Sequence, residues 1–419
     1  MALPKFSNVA QSFHTELKNR INAYFEQSKK STTGNYKLFA KAIILLIAFV
    51  AIYIHLVFFT PAPVWAVLEC LLFGAVISTI GFNVMHDGAH GSFSNSKVIN
   101  KLAAFSLNVL GGSSFMWNMK HNVIHHAYTN VDGIDDDIDA KPFLRLCETQ
   151  KFYKMHRYQH LYFWLTYSLL YLYWIFVSDY KKYFTKKVGI IPLKKMSLSD
   201  HISFWGFKLI HLCIFVLIPI LSVGVTEWLV GFLVSGLFAG LLLSLVFQLA
   251  HTVEHTSFPM PSDDSGKMED EWAIHQLKTT SNFATKSKVV SWLVGGLNFQ
   301  IEHHLFPKIS HIHYPAISKI VKQACREYGI VYLEHRWGGL KMRMGAWVGL
   351  FGPKGMPPEL VQKLHAAAIA ALALPESKDR FAKLGGDVMP LSPAEFKKMV
   401  SDEIAENKEL LASLSAEKK

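Results

Sequence analysis

Three short clusters of histidines stand beside long apolar stretches of this chain. They read HDGAH (His86 to His90), HNVIHH (His121 to His126) and QIEHH (Gln300 to His304), and a further histidine, His251, ends an apolar run. Neutral imidazole is the commonest metal ligand in proteins. Because two histidines four residues apart share one face of a helix, each such pair is predicted to hold one metal ion.

The imidazoles are too many for one ion, since a zinc site uses only about three or four protein ligands. The sequence therefore favours two metal ions. The predicted ligands are His86, His90, His121, His125, His126, His251, His303 and His304. No HExxH motif occurs, which weakens a zinc hydrolase interpretation. Imidazole suits iron, copper, zinc and nickel alike, so the ligands leave the identity of the metal open.

The elements that must position these ligands are membrane-spanning helices. The chain has 419 residues, of which 51% are hydrophobic and 18% charged, and the hydrophobic residues are concentrated in long runs. A helix of about 20 apolar residues can cross the hydrocarbon of a bilayer. The candidate segments are 38–60, 62–85, 160–178, 203–223 and 226–250. The predicted fold class is therefore all-α, a multi-pass helical membrane protein.

If the histidines form one site, they lie on one side of the membrane, and the chain crosses an even number of times between the second cluster and His251. Segment 160–178 is rich in Tyr and Trp, which suits the headgroup layer, so we predict an interfacial helix there.

The other four segments form two hairpins below a cytoplasmic helical cap. Their outer connections, 60–63 and 222–227, carry no Lys or Arg, so the positive-inside rule places both termini and every histidine cluster in the cytoplasm.

The formal net charge of +11 agrees with lysine-rich loops that meet anionic membrane lipids. No basic, aromatic-interleaved motif stands out, so nucleic-acid binding is not predicted. The four cysteines are scattered without a CxxC pair, and no disulfide framework is expected.

Three long stretches of the chain resemble the membrane fatty acid desaturases. They are SSFMWNMKHNVIHHAYTN, EDEWAIHQLKTTSNFAT and GGLNFQIEHHLFPKISHIHYP, and the similarity extends from about residue 35 to 335. Gln300, where other desaturases place histidine, is typical of front-end, delta-6-like acyl desaturases. The resemblance implies two Fe ions, a di-iron centre that takes O2 as co-substrate and removes two hydrogens from an acyl chain. It also implies that the histidines named above ligate this iron.

The same resemblance implies a bacterial inner-membrane enzyme that acts on an acyl-CoA or an acyl-lipid. No HPGG haem signature occurs, so a fused cytochrome domain is not expected. A separate electron donor is expected instead, either ferredoxin or a b-type cytochrome. The basic segment Lys181–Lys187 is a candidate docking surface for an acidic donor. A hydroxylase, or a carotenoid or sterol-type oxygenase, would use the same ligands and stays open as the alternative, ahead of a non-enzymatic membrane or solute-binding protein.

Other polar and aromatic residues are candidates for supporting roles. Possible further ligands, or residues that orient the imidazoles through their second ring nitrogen, are Gln300, His255, His275, Asp87, Glu254 and Glu302. Phe115 and Trp117 are predicted to line an apolar substrate tunnel, with an aromatic core as the alternative. The acidic stretch 132–139 is predicted to be a solvated loop, with metal ligation by its aspartates as the alternative, and His311 and His313 are predicted to be structural.

The predicted domains are a cytoplasmic segment 1–37, a desaturase domain 38–337 and an appended segment 338–419. The stretch WVGLFGPKGMPPELVQKLHAAAIAALALPESKDRFAKLGG resembles the C-terminal end of the solute-binding proteins of tripartite tricarboxylate transporters. Because the lobes that form the ligand cleft are missing, no solute binding is expected. A natural fusion and a misjoined gene both stay open. Ser392 and Glu395 predict a capping-box helix start within this segment.

Overall fold

Helices dominate the computed structural model, which describes residues 3–7, 12–262, 265–335, 349–353, 355–383, 388, 390–402 and 404. Two compact units divide the chain, one of residues 1–147 and 155–343 and the other of residues 148–154 and 344–419. The assignment of 148–154 to the second unit was not predicted. The helices up to residue 335 are α1 (Phe13–Ser28), α2 (Tyr36–Phe59), α3 (Pro63–His90), α4 (Lys97–Val109), α5 (114–125), α6 (Lys154–Ser168), α7 (Leu170–Thr185), α8 (Leu198–Val223), α9 (Val225–His251), α10 (Trp272–Thr279), α11 (Lys288–Leu293), α12 (Gln300–Leu305) and α13 (Tyr314–Glu327).

Strands are few and short in the described residues. β1 (Lys187–Val188) pairs antiparallel with β2 (Ile191–Pro192), and β3 (Asn282–Phe283) pairs parallel with β4 (Glu334–His335). The all-α fold class predicted from the sequence is therefore confirmed.

Four helices of the described chain, α2, α3, α8 and α9, are each long and apolar enough to cross a membrane. Local signals start them where the sequence suggests: Asn35 accepts a hydrogen bond from the Lys37 N–H at the start of α2, and Pro63 is the first residue of α3. α3 and α9 are longer than the predicted segments 62–85 and 226–250, because they continue into the histidines at their ends.

Segment 160–178 lies in a bent pair of helices. α6 and α7 meet at an angle of 55°, and together they would make a fifth span if the pair crossed the membrane as one unit. The placement of this segment in the headgroup layer stays a prediction.

Small residues bring α3 and α9 into close contact. A Cβ at Gly74 would lie 2.5 Å from the carbonyl oxygen of Ser235, and the Ser78 hydroxyl donates to the carbonyl of Ala239 at 3.1 Å. Close backbone approach and interhelical hydrogen bonds are the usual means of association in lipid, where hydrophobic burial contributes little. This contact sets the two histidine-bearing helix ends side by side.

The cap above the spans has its own hydrophobic core. α1, α10, α12 and α13 contribute buried apolar residues to it, among them Leu17, Leu277, Ile301 and Ile317. The amphipathic spacing of α13 places Ile317 and Val321 on this core. The third histidine box is thereby held over the spans by packing within the cap.

The second unit contains α14 (Pro358–Ala373) and α15 (Pro375–Lys383), and residues 393–402 are helical. The predicted capping box is present: Glu395 accepts from the Ser392 N–H at 2.9 Å and its own N–H donates to the Ser392 hydroxyl at 3.3 Å. No residue of α14 is buried, and Leu360 and Leu364 on its apolar face are 43% and 46% exposed.

Candidate metal centre

The first histidine box forms the last turn of α3. A π-helical segment, Gly81–Met85, precedes it, a feature that often marks functional sites. The rings of His86 and His90 lie 4.6 Å apart, as the spacing of four residues predicts. Gly88 lies so close to α4 that a Cβ there would come within 2.6 Å of the Ala103 side chain, so the box is fixed by close packing.

The second box lies in a π-helix, Asn118–His125, and not in the α-helix that its spacing suggested. The His126 N–H donates to the His121 carbonyl five residues earlier. The rings of His121 and His125 lie 5.2 Å apart and form one group of candidate ligands with Asp137, while each ring also belongs to a separate group of imidazoles. The pair thus keeps its two rings side by side, and its binding of one ion stays a prediction.

The third box forms α12, where His303 and His304 are fully buried. The loop before it approaches the π-helix of α3 at Gly295, which has a φ of 61° and where a Cβ would overlap the carbonyl of Phe82. Any residue with a Cβ would be strained here, because the backbone needs a positive φ and the Cβ would overlap the Phe82 carbonyl.

All eight predicted histidines are brought together at one place. Cluster A consists of His86, His90, His121 and His303, and cluster B of His125, His251 and His304, each with ring nitrogens within 4.8 Å of one another. His126 lies between the clusters, with its ring 4.6 Å from that of His303 and 4.4 Å from that of His304. Two adjacent ligand sets result.

Most of these histidines leave a buried ring nitrogen without a hydrogen-bond partner in the described structure. These atoms are Nε2 of His90, His121, His125, His126 and His303, and Nδ1 of His126. Such a buried polar atom costs about 1–3 kcal/mol of stability unless something binds it. Burial also holds the pKa of His126, His303 and His304 well below its usual range, so the rings are neutral. Neutral imidazoles with available nitrogens fit two metal ions.

Each histidine of cluster B is held by a hydrogen bond through its Nδ1–H. The pairs are His125 with Asp135 Oδ2 at 2.9 Å, His304 with Gln276 Oε1 at 2.7 Å, and His251 with the Thr279 carbonyl at 3.4 Å. Such bonds fix the ring orientation and the tautomer, which leaves Nε2 free to ligate.

Asn130 joins the partners of cluster B to one another. Its N–H donates to Asp135 Oδ2 at 2.9 Å, and its side-chain amide donates to the carbonyls of His251 at 2.8 Å and Thr279 at 3.2 Å. The loop after the second box is thereby fastened to the end of α9.

Cluster A has an aromatic surround. Trp117 stacks on His121 at 4.5 Å, and its ring lies 5.7 Å from those of His86 and His90. His303 Nδ1 lies 3.2 Å from the Tyr314 hydroxyl. Trp117 therefore lies against the predicted ligands, and its place in a substrate tunnel stays a prediction.

Phe115 lies elsewhere. It packs with Met116, Met119 and Leu193 and not against the histidine rings. This packing matches the aromatic-core alternative for Phe115.

Gln300 completes cluster B. Its Nε2 lies 3.0 Å from His251 Nε2 and 3.4 Å from His304 Nε2, and its buried Oε1 has no partner in the described residues. Cluster B thus consists of three imidazoles with the carboxamide of Gln300 beside them, whereas cluster A consists of four imidazoles.

Asp87 does not orient a predicted ligand, which corrects the expectation. Its carboxylate accepts from the Ser310 hydroxyl at 2.8 Å and from His311 Nδ1 at 3.0 Å. Asp87 therefore fastens the first box to the loop after the third. His311 is structural, and so is His313, which bonds the Thr33 carbonyl at 3.2 Å.

Glu302 also turns away from the imidazoles. Asn282 donates to it at 2.8 Å and the Tyr332 hydroxyl at 2.9 Å. Burial raises the pKa of Glu302 to about 8, so its carboxyl is largely protonated at neutral pH. Through its hydrogen bond with Asn282, Glu302 holds α12 against β3.

His255 and Glu254 lie outside the two clusters. α9 ends at His251, so the helical spacing that would align His255 with it is broken. His255 is exposed with a φ of 70°, and Glu254 is half-buried. Neither residue belongs to a group of candidate ligands in the described structure.

His275 supports the centre indirectly. Its Nε2–H donates to the Thr129 carbonyl at 2.9 Å, and the Thr129 hydroxyl lies 2.9 Å from Gln276 Oε1, the partner of His304. Thr129, Asn130 and Gln276 were not singled out from the sequence, although they lie within the stretches that resemble the desaturases.

The acidic loop is not uniformly solvated. Asp135 is buried, and Asp137 Oδ2 lies 3.7 Å from His125 Nδ1 and 3.9 Å from His121 Nδ1. Burial alone would raise the pKa of Asp137, but Lys120, at 2.7 Å, and the two imidazoles hold it well below its usual range. The solvated-loop prediction is wrong for these two residues, because the loop folds back over the second box.

A family model supports the same interpretation of the sequence. The model of the fatty acid desaturase family matches residues 62–336, which include every residue of both clusters. The chain belongs to the fatty acid desaturase family and is an enzyme of that kind, integral to the membrane.

Individual relatives cover most of the chain. An sn-1 linoleoyl-lipid 6-desaturase of Arthrospira platensis is 36% identical over 327 residues, which is 77% of this chain and 88% of the relative. The enzyme with the same name from Synechocystis sp. is 33% identical over 77% of this chain and 90% of its own length. An acyl-lipid (8-3)-desaturase of Physcomitrium patens is 35% identical over 78% of this chain and 68% of its own length. The predicted front-end type agrees with these relatives.

A second family model matches the end of the chain. The model of the tripartite tricarboxylate transporter family receptor matches residues 330–415. This match agrees with the resemblance noted for the appended segment.

Proposed function

We propose that this chain introduces a double bond into an acyl chain esterified to a membrane glycerolipid, at carbon 6, with O2 and two electrons at a di-iron centre. The observation that carries the proposal is the pair of adjacent clusters of buried imidazoles beside the ends of α3 and α9. The position of the double bond and the lipid carrier follow from the relatives named 6-desaturases of linoleoyl-lipid.

Iron is proposed because of the reaction. A pair of iron ions would supply the oxygen activation that removes hydrogen from an unactivated C–H bond, which acid–base side chains do not supply. His86, His90, His121 and His303 would hold one ion, and His125, His251 and His304 the other, with His126 between them.

The surrounding residues orient these ligands and exclude water. Asp135, Gln276 and the Thr279 carbonyl keep the Nε2 atoms of cluster B directed inward. Burial of both clusters removes bulk water from the place where O2 is reduced.

The acyl chain is proposed to approach from the side of the membrane spans. Trp117 covers cluster A, and Phe247 of α9 lies 5.2 Å from His125 and 4.6 Å from His251. Both rings offer apolar surface next to the ligands. A substrate that stays in the bilayer suits a centre built on the ends of spanning helices.

We further propose that residues 38–337 form the desaturase domain and that the centre faces the cytoplasm of a bacterial cell. The connections after α2 and α8 lack Lys and Arg, whereas lysines are frequent at the opposite ends. Electrons would then arrive from a separate cytoplasmic carrier, ferredoxin or a b-type cytochrome.

Expression in a bacterial host that makes no polyunsaturated fatty acids tests the proposal. The host is supplied with linoleic acid, and its lipids are analysed by gas chromatography and mass spectrometry. We expect a new double bond at carbon 6, first in intact glycerolipids and not in acyl-CoA, and none with His303→Ala. A hydroxylated product, or no product from well-inserted protein with bound iron, would overturn the assignment.

A further inference from the structure

One lysine of the spanning helices is buried inside the protein. Lys41 is the sixth residue of α2, and only 8% of its surface is exposed. Lysines near the end of a span usually extend to the headgroup layer, whereas an ionisable side chain kept within a bundle of spanning helices commonly serves function. The ammonium of Lys41 therefore needs partners within the protein.

Three polar atoms surround the ammonium of Lys41. Its Nζ donates to Asn83 Oδ1 at 2.5 Å and to the Trp292 carbonyl at 3.0 Å, and it lies 3.4 Å from His311 Nε2. The Trp292 ring adds a cation–π contact, with 5.2 Å between Nζ and the ring centroid. Asn83 belongs to the π-helical segment before the first histidine box, so Lys41 joins α2 to the element that carries this box.

His311 extends this contact to the first box itself. Its Nδ1 lies 3.0 Å from Asp87 Oδ2, and Asp87 stands between the predicted ligands His86 and His90. Because an ionised carboxylate only accepts hydrogen bonds, the proton of the ring is on Nδ1, and Nε2 accepts from Lys41. Lys41 thus favours the tautomer in which His311 donates to Asp87.

The third box adjoins the same residues. Gly296 has a φ of 67°, and a Cβ there would lie 2.8 Å from the His311 Cβ and 3.3 Å from the Tyr314 ring. The Tyr314 hydroxyl lies 3.2 Å from Nδ1 of His303. The first box and His303, which together supply three imidazoles of cluster A, therefore both lie beside residues that Lys41 holds.

Cluster B is supported from elsewhere. The acceptors of its three rings are Asp135, Gln276 and the Thr279 carbonyl, which lie on the loop after the second box and on α10. The partners of Lys41 lie on α3, on α11 and in the loop after α12. The two clusters thus have separate supports, and damage to one support can be distinguished from damage to the other.

The charges around Lys41 balance one another. Asp87 is 1% exposed and accepts from the Ser310 hydroxyl at 2.8 Å as well as from His311. His311 donates through one nitrogen and accepts through the other, so it stands as a neutral ring between the ammonium and the carboxylate. Removal of Lys41 would leave Asp87 buried without its counter-charge and Asn83 Oδ1 without this donor, a costly state in the interior.

We propose that Lys41 is a positioning residue for the metal centre, whose ammonium acts through His311 and Asn83 to hold the first histidine box where it ligates the metal of cluster A. This inference rests on the function proposed above. It gives a lysine of a spanning helix a role in metal binding, although Lys41 contacts neither a metal ligand nor the reacting atoms directly.

The test uses the full-length protein, purified in mild detergent after growth with limiting ⁵⁷Fe and measured by metal analysis and Mössbauer spectroscopy. Gln300→His identifies the signal of cluster B, because it adds an imidazole beside that cluster alone. We expect Lys41→Met to lower the iron affinity of cluster A about tenfold, the lower end of the range for residues that orient ligands. The signal of cluster A should then be reduced while that of cluster B remains.

Lys37→Met is the matched control. It makes the same change one turn earlier on α2, at a lysine that is exposed, and both signals should stay as in the wild type. Should Lys41→Met fail to insert into the membrane, Lys41→Gln carries the test, because it keeps a polar N–H but lacks the charge that balances Asp87. The same selective reduction of the cluster A signal is expected.

Either of two results would overturn the inference. Equal loss of both signals would show that Lys41 stabilises the whole fold and not cluster A, and two unchanged signals would show that it does not position the first box. Wild-type protein that binds no iron contradicts the proposed function instead, so the two failures are distinguishable.

Discussion

Clusters A and B are built in different ways. Cluster A has four imidazoles, two of them from a single turn of α3, and its surround is aromatic, with Trp117 against three of the rings. Cluster B has three imidazoles from three different elements, each fixed by an acceptor at Nδ1, and the carboxamide of Gln300 beside them.

The two clusters are therefore held in place by different interactions. Cluster A depends on helix geometry and close packing, such as that at Gly88. Cluster B depends on a hydrogen-bonded network that runs through Asp135 and Asn130. Damage to the network should therefore affect cluster B first, whereas removal of any ligand should disable both clusters, since the proposed reaction needs both ions.

The largest effect is expected from removing one ligand of either cluster. His303→Ala in cluster A and His304→Ala in cluster B should each abolish desaturation while membrane insertion is retained, because a metal loses a direct ligand. Fatty acid analysis and membrane fractionation measure the two properties. His160→Ala, an exposed histidine on α6, serves as the control. Full turnover by either ligand variant would contradict the assignment of that cluster.

A smaller effect is expected from the partner of His125. Asp135→Asn should lower metal affinity or activity by about 10–100-fold, because the carboxylate that orients the imidazole is lost. Asp139→Asn alters a residue of the same loop whose side chain is 49% exposed, and it should behave like the wild type. Equal iron retention in the two variants would show that the network does not stabilise cluster B.

The amide in cluster B offers a milder change. Gln300→His should retain both irons and give cluster B a fourth imidazole, which makes it more like cluster A. We expect an altered distribution of double-bond positions or a lower rate, measured by mass spectrometry of the fatty acids. An unchanged product profile at an unchanged rate would remove Gln300 from the determinants of selectivity.

The smallest effect is expected outside both clusters. Removal of residues 345–419 should leave the rate and products nearly unchanged, since every residue of the clusters and their partners precedes residue 336. Desaturation is measured with the full chain at equal expression. A well-inserted but inactive truncation would show that the appended segment contributes to function.

The sequence predicted the membrane frame well because each signal is local. Long apolar runs and the capping box of Ser392 and Glu395 act over a few turns. The pair His86 and His90 was found for the same reason, because one helical turn contains both.

Features that depend on tertiary contacts could not be predicted in this way. The second box is π-helical, and His121 and His125 contribute to different imidazole clusters as well as to one group with Asp137. Asp135 looks like any loop carboxylate until the chain folds back onto His125, and Asp87 next to a ligand bonds His311 instead. Neighbours in sequence therefore proved poor guides to which side chain orients which imidazole.

The most direct test is metal analysis combined with Mössbauer spectroscopy on the full-length protein, purified in mild detergent after growth with ⁵⁷Fe. The account predicts two iron ions for each chain, with two distinct signals that reflect four imidazoles in cluster A and three imidazoles with Gln300 in cluster B. Active protein that contains no transition metal, or a single ion, would contradict it.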